Sequence, residues 1–210
     1  LNEVGRAITS TMDLDALVEL IYHQTTRLMD TTNFFLVLYD QEKEQLDFVL
    51  HVEDGARVPR ERRPLGSGLT GHIVRNRQPL HFPYGPDEFL KQQGIARIGR
   101  PSKSWLGVPM VAQDHVVGVI AVQSYAQEGA YDEDHLRVLS TIASQAAVAL
   151  ENANLYQQAH RRAEETEALY RIGAASAAHL GLQEICQSVY EQASVVMDTT
   201  AFYVALYDRD

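Results

Sequence analysis

The stretch SWLGVPMVAQDHVVGVIAVQS, residues 104–124, consists of two strongly apolar runs joined by a short polar turn. Two strand-length apolar runs separated in this way predict a β-hairpin. A second hairpin is predicted from residues 33–40 and 45–52, where aromatic and β-branched residues again flank polar ones. Because hairpins pair antiparallel strands, the centre of the fold is predicted to be an antiparallel sheet.

Helices are predicted on either side of these strands. Residues 14–28 carry apolar side chains at helical spacing, with Asp13 as the N-cap. Shorter helices are predicted at residues 67–76 and 86–93, and one long helix extends from residue 133 to about residue 178. Helices segregated from an antiparallel sheet define an α+β fold.

An internal repeat sets the domain boundaries. Residues 28–40, LMDTTNFFLVLYD, reappear as residues 196–208, VMDTTAFYVALYD, at an offset of 168 positions. We therefore predict a complete domain at residues 1–157 and a connecting helix at 158–178, continuous with the helix before it. Residues 169–210 are predicted to be the truncated beginning of a second domain. Because the sequence does not begin with Met, we interpret it as a piece of a longer protein.

Composition limits the classes of function. No apolar run approaches the roughly 20 residues of a membrane span. The single cysteine, Cys186, excludes a disulfide scaffold and favours the cytoplasm. The net charge of −10 argues against nucleic acid or a membrane surface as a partner. Charge is uneven, however: residues 56–103 hold ten Lys or Arg against three acids, a net +7.

Five short motifs together resemble a GAF domain. In chain order they are GSGLTG (66–71), QPL (78–80), SWLGVPM (104–110), VGVIAV (117–122) and the last helix of the domain (139–155). The resemblance implies a GAF-like fold with a six-stranded antiparallel sheet and the terminal helices on one face. On the other face it implies a small-molecule pocket under a lid. Many GAF domains are sensory modules of histidine kinases, nucleotide cyclases or transcription activators, and many dimerise through their terminal helices.

Candidate pocket residues follow from the alternation of side chains along a strand. Phe35 and Val37 are predicted to face the pocket, with Trp105 or Ser104 contributing from a later strand. Gly68 lies in a Gly-rich turn that enters a helix, where backbone N–H groups could hold an anion or a carbonyl. The alternatives are that this face is filled by its own side chains and that the glycines only let the loop pass over the sheet.

The basic segment falls on the lid that the resemblance implies. Arg97, Arg100 and Lys103 are therefore candidates to meet the negative group of a ligand, because a guanidinium grips phosphate or carboxylate at two points. The unidentified ligand is accordingly predicted to be a small molecule, with an anion as one option. The alternative is a solvated basic loop that neutralises the acidic helices of a neighbouring subunit or domain.

Catalysis and several cofactors are not expected. Residues 1–168 contain no cysteine, so neither covalent bilin attachment nor the thiolate chemistry of GAF-type methionine sulfoxide reductases is predicted. His51, His72 and His81 lie near the lid, but no pair has the helical i, i+4 spacing of a zinc site, and haem is not expected. The cofactor is therefore left unknown and metal sites are predicted to be absent.

The long helix completes the functional hypothesis. A stripe of apolar residues recurs along it at three- and four-residue intervals, as in the seam of a coiled coil. Its members are Leu136, Leu139, Ala143, Ala146, Leu150 and Ala153. The alternative is that these side chains pack against the sheet of their own domain, which is expected for some of them and above all for the first half of the stripe. We predict a non-catalytic sensor that homodimerises through this helix and signals to an output domain, with a histidine kinase as the first choice. The alternative is a ligand-free GAF domain that serves as a dimerising spacer.

Overall fold

The structure is a computed structural model that describes residues 14–95, 97–177 and 181–205. The chain divides into two compact units, Leu1–Asn154 and Leu155–Asp210. The predicted N-cap Asp13 lies outside the described residues.

The helices and strands follow the order predicted from the sequence. The first unit contains α1 (Leu14–Thr26), β1 (Phe34–Asp40), β2 (Gln45–Glu53), β3 (Ala56–Arg57), β4 (Glu61–Pro64), α2 (Leu69–Asn76), β5 (Leu80–Phe82), α3 (Asp87–Gln93), β6 (Ser104–Ala112) and β7 (His115–Ser124). The helix α4 (Glu133–Ala177) begins in the first unit and continues in the second, where it is followed by α5 (Leu182–Val196). The α+β class and both predicted hairpins are confirmed.

The sheet is antiparallel, and its described part has seven strands. Its order is β3-β2-β1-β7-β6-β5, with β4 also paired to β2. The expectation of six strands is therefore corrected. The sequence pattern missed β3 and β4, which lie in the basic segment. Both strands are short, and backbone pairing joins them to β2. Because their side chains are largely exposed, their sequences show no alternation of apolar residues.

The two faces of the sheet carry two separate apolar clusters. Phe34 and Leu36 of β1 pack with α1 and the first half of α4. Phe35 and Val37 alternate with them and belong to the cluster on the opposite face, together with Trp105. The predicted assignment of these side chains to faces is confirmed, because side chains of a strand point to opposite sides in turn.

The stripe proposed as a dimer seam lies in the core of its own domain. Leu139, Ala143, Ala146 and Leu150 belong to the cluster between the helices and the sheet, and Leu136 packs against it half-buried. Ala153 is likewise only 4% exposed. Its buried members leave almost no surface for a second subunit, so the predicted seam is corrected: Leu139, Ala143, Ala146 and Leu150 pack the helix onto the sheet.

The second unit contains the later part of α4 and all of α5. Here α4 exposes large apolar side chains, among them Leu169 and Tyr170, which are 69% and 77% exposed. In the repeat, residues 202–208 correspond to β1. Residues 202–205 have no regular secondary structure, and residues 206–208 lie outside the described part. A lone strand lacks the partners that would satisfy its backbone.

We expect Asp47→Asn to weaken the attachment of β4 to β2. Asp47 accepts two hydrogen bonds from Arg60, at 2.9 and 2.7 Å, and one from Arg62 at 3.0 Å. The hydrogen bonds from Arg60 contribute most to lowering the pKa of Asp47. We expect the substitution to cost about 1–2 kcal/mol of unfolding free energy at pH 7.

The pH dependence of this cost checks its origin. A carboxyl group whose pKa is lowered by folding stabilises the protein above its unfolded pKa of about 3.9, and this contribution is lost as the pH falls through the folded value. Urea unfolding should therefore show a difference at pH 7 that shrinks steadily below about pH 4. Asp114→Asn, in the exposed β6–β7 turn, is the control and should leave the midpoint unchanged. A difference that persists undiminished at pH 3 would contradict the ion-pair explanation.

Candidate functional site

A cavity of about 260 Å³ lies on the face of the sheet opposite α1. Its floor comes from β1, β2, β6 and β7, and its sides include the start of α2. Residues 97–102, here called the roof segment, lie over it. The volume is just below the roughly 300–1,000 Å³ typical of pockets for drug-sized ligands, so the cavity suits a small metabolite.

The floor is mainly aromatic. Phe35 and Phe48 lie with their ring centroids 5.7 Å apart, and Trp105 lines the cavity beside them. The indole of Trp105 lies close to the backbone of Gly107, where a Cβ atom would come within 2.3 Å of the ring. Glycine is therefore required at 107 for the indole to occupy its place, and an apolar ligand surface could pack on these rings.

Two sets of polar groups interrupt the apolar floor. His51 lies near Phe35 and Phe48, and burial lowers its pKa, so its ring is neutral at pH 7. Its Nδ1 is buried without a hydrogen-bond partner among the described residues.

The second set begins at Gln123. Its amide donates to the Tyr125 hydroxyl at 2.9 Å, and that hydroxyl donates to Glu53 Oε1 at 3.2 Å. Burial, with the Glu53 carboxylate as a further cause, raises the pKa of Tyr125 to about 12, which keeps it a neutral phenol.

The arginines of the roof segment are already paired within the chain. Arg97 forms an ion pair with Asp87. Arg100 donates to Asp54 Oδ2 at 2.6 Å, and its Cζ lies 4.0 Å from the centroid of the Tyr125 ring. An anionic ligand would have to compete with these carboxylates for both guanidinium groups.

The structure brings together five of the eight predicted pocket residues. Those that line the cavity are Phe35, Gly68, Arg97, Arg100 and Trp105.

The other three lie elsewhere. Val37 shares the cavity face but is fully buried in the cluster beneath it. Ser104 precedes Trp105 in β6 and so faces the other side of the sheet. Lys103 donates to the carbonyl of Ala126 at 3.2 Å and does not line the cavity. Val37, Ser104 and Lys103 are therefore corrected as pocket residues.

The histidines do not converge on one site. Of the three that were considered, only His51 lines the cavity. His72 packs edge-on against Phe89, and His81 is bonded through Nε2 to the Tyr131 carbonyl at 2.8 Å. In the described part of the chain, no group of three or more His, Cys, Asp or Glu residues is placed to hold a metal ion.

Sequence reasoning missed several polar lining residues, notably Glu53, Gln123 and Tyr125. The cross-strand register explains how two polar residues come to line the cavity: His51 is paired with Phe35, and Gln123 is paired with Trp105. Residues paired directly across a sheet lie on the same face. Extending the alternation of Phe35 and Trp105 to their hairpin partners would have found His51 and Gln123.

Comparisons with known proteins agree with this architecture. A family profile described as GAF domain matches residues 11–151. The Formate hydrogenlyase transcriptional activator FhlA of Escherichia coli (strain K12) is 22% identical to this chain over an alignment of 217 residues, and the alignment covers 97% of this chain. The chain spans only 31% of the length of FhlA.

Two solved structures show the same fold. The GAF domain of an Acinetobacter phosphoenolpyruvate-protein phosphotransferase has a TM-score of 0.59 and 19% identity, covering 73% of this chain and 92% of its own. The reduced form of fRMsr of Staphylococcus aureus has a TM-score of 0.55 and 19% identity, covering 71% of this chain and 91% of its own.

The match to the family profile covers most of the first unit, including the whole sheet and the cavity. Of the helices in the described residues, none combines the length and the apolar character that crossing a membrane requires. The antiparallel sheet with helices packed on one face agrees with the fold of these solved structures. The chain belongs to the GAF domain family.

Proposed function

We propose that this chain is a non-catalytic regulatory module whose cavity binds a small molecule. The observation that carries the proposal is the cavity itself, with its aromatic floor and its few polar groups. Pockets that combine apolar walls with a small number of placed polar groups are typical ligand sites. Because Arg97 and Arg100 have carboxylate partners, we favour a ligand recognised by the floor over a strongly anionic one.

The absence of catalysis is part of this proposal. Proteins of the same fold include free methionine-R-sulfoxide reductases, one of them solved in complex with its substrate. Their likeness to this chain is below 25% identity and concerns the fold. The sequence supports a regulatory role here, because residues 1–168 contain no cysteine that could attack a sulfoxide.

A thermal-shift screen tests the binding function. Nucleotides, haem, bilins and amino acids are added separately to the purified chain. A ligand at 100 times its Kd should add about 2.7 kcal/mol to the unfolding free energy. Thr70→Trp should abolish the shift, because Thr70 lines the cavity and a Trp there would occupy it. Thr141→Trp, on the exposed side of α4, should not.

The outcomes of the screen separate the alternatives. A shift that survives Thr70→Trp would place binding outside the cavity and contradict the proposed site. If no compound produces a shift, the ligand-free dimerising spacer becomes the better description.

We further propose that the chain forms a parallel homodimer through the later part of α4. The exposed apolar side chains there recur at fourteen-residue spacing: Leu155 with Leu169, and Tyr156 with Tyr170. If Tyr156 and Tyr170 occupy a positions of a heptad, Arg162 and Glu167 fall at g and e, which face each other between parallel helices. This surface replaces the buried stripe as the proposed seam.

We also propose that residues 169–210 begin a second GAF domain. With the 168-residue offset, the buried Leu17 and Ile21 of α1 correspond to Ile185 and Val189 of α5. The face of α5 that carries these residues would then pack on the sheet of the second domain. Extending the expressed chain past Asp210 should let α5 pack and so shield Cys186, which lies on this helix. Its reaction with a thiol reagent should then become slower, whereas unchanged reactivity would contradict the proposal.

The output is proposed to be a separate domain. The resemblance to sensor modules favours a histidine kinase in the cytoplasm, and the name of FhlA favours a transcriptional activator as the second candidate. Incubating the complete parent protein with labelled ATP distinguishes them, because a histidine kinase becomes labelled on histidine and a transcriptional activator does not.

A further inference from the structure

The roof segment is attached to the rest of the domain unequally at its two ends. Arg97 pairs with Asp87, which lies in α3, the helix that precedes the roof segment in the chain. This ion pair therefore holds the roof segment to its own stem. Arg100 instead contacts two residues that are distant in the chain. They are Asp54, which is 46 residues away and follows β2, and Tyr125, which follows β7. Among the described residues of the roof segment, Arg100 makes the ion pair that joins the roof to the floor strands.

The groups that receive Arg100 are themselves held in place. Asp54 lies in the turn between β2 and β3, and its N–H donates to Asn33 Oδ1 at 2.8 Å. Glu53 Oε1 is 3.9 Å from Arg100 and accepts the Tyr125 hydroxyl. The backbone anchor of Asp54 and the ring of Tyr125 together give Arg100 a defined docking position.

Each contact of Arg100 is weak enough to break thermally. Its side chain is 52% exposed and that of Asp54 is 64% exposed. Exposed ion pairs contribute little to stability, and a cation–π contact at an exposed site contributes about as much again. The combination biases the roof segment towards the closed position without locking it.

We propose that the roof segment is a movable lid over the cavity and that Arg100 fastens it to Asp54 and Tyr125. This inference rests on the proposed binding function, because it assigns the route by which a ligand enters. Arg100 is then a positioning residue of the lid: it lines the cavity, but its guanidinium is engaged by Asp54 and Tyr125. Its charge is matched by Asp54 and Glu53 in the closed state.

The sole tryptophan of the chain makes the lid measurable without any ligand. Trp105 lines the cavity and is only 3% exposed, so its fluorescence reports how readily a small solute enters. The probe is acrylamide, which is uncharged and therefore insensitive to the charge changes of the variants. Asp54→Asn should raise the quenching constant of Trp105 by about two- to fivefold, the factor expected from losing one exposed ion pair. Arg100→Ala should raise it further, because it loses the cation–π contact as well as the ion pair.

The variants are chosen to leave the fold intact. Asp54 has a positive φ of 48°, a conformation that asparagine tolerates as well as aspartate does, so Asp54→Asn removes charge without backbone strain. Arg137→Ala is the matched control, because it removes an exposed arginine paired with Asp134 on α4, and neither residue lines the cavity. It should leave quenching unchanged. Equal thermal midpoints for all four proteins confirm that quenching reports the lid and not unfolding.

Two substitutions of Tyr125 separate the ring from its hydroxyl. Tyr125→Phe keeps the surface under the guanidinium and should resemble the parent in quenching, whereas Tyr125→Leu should resemble Asp54→Asn, because it also removes one of the two contacts of Arg100. Combining Arg100→Ala with Tyr125→Leu should add nothing to the effect of Arg100→Ala alone. Unchanged quenching in both Arg100→Ala and Asp54→Asn would overturn the proposal. Full additivity in the double variant would overturn the role of Tyr125. Neither result depends on the ligand screen.

Discussion

Replacing Gly118 with alanine is expected to lower the unfolding free energy of the first unit by about 3 kcal/mol or more. Gly118 lies in β7 opposite Leu38 of β1. A Cβ atom at this position would lie 2.1 Å from the carbonyl oxygen of Val37 and 2.5 Å from Cε of Met110. The methionine end could turn aside, but the carbonyl belongs to the central strand pair and cannot move without disrupting the sheet.

Urea unfolding followed by circular dichroism measures this effect. Gly66→Ala is the matched control, because the nearest atom to a Cβ at position 66 is the Pro64 carbonyl oxygen at 4.0 Å. The control should change the unfolding free energy by less than about 0.5 kcal/mol. If Gly118→Ala costs no more than the control, the close approach of β7 to β1 described here is wrong.

Ala146→Glu is expected to prevent stable folding of the first unit. Ala146 is fully buried between α4 and the sheet, in a cluster of apolar side chains. A carboxylate placed there loses its hydration without gaining a partner, and costs above about 4 kcal/mol are expected from such changes. That cost is comparable to the whole stability of a small domain, which is about 5–15 kcal/mol.

Leu169→Glu provides the contrast on the same helix. Leu169 is 69% exposed and belongs to the proposed dimer surface. The substitution should leave the thermal midpoint of the first unit unchanged at low protein concentration, while sedimentation shows a shift from dimer to monomer. A folded, monomeric Ala146→Glu protein would restore the buried stripe as the seam. A Leu169→Glu protein that remains dimeric would exclude the surface proposed in its place.

The elements were predictable because their signals are local. Apolar runs at 33–40 and 104–124, bounded by polar turns, indicated strands, and three–four spacing indicated the helices. The alternation of side chains along a strand assigned Phe35 and Val37 to the cavity face, while Trp105 and Ser104 stayed alternatives for the later strand. These periodicities depend on backbone geometry within a few residues, so neighbouring sequence is sufficient to show them.

The dimer stripe shows where such reasoning fails. Apolar residues at three- and four-residue spacing occur on a helix that packs on a sheet and equally on a helix that packs on a second subunit. The pattern containing Leu139, Ala143 and Ala146 shows that something covers these side chains, but not what covers them. The sheet of the same domain covers them, which leaves the later, more exposed part of α4 for a partner.

The sequence by itself determined the α+β class, the two central hairpins, the long helix, the repeat and the face to which each residue of β1 belongs. Only the tertiary structure decided that Ser104 and Lys103 lie away from the cavity, that Glu53 and Tyr125 belong to it, and that Arg100 meets Asp54. The physical reason is range. Helix and strand periodicity is set by neighbouring residues, whereas strand register and contacts such as Arg100 with Asp54 join residues far apart in the chain, and only the packed fold brings these together.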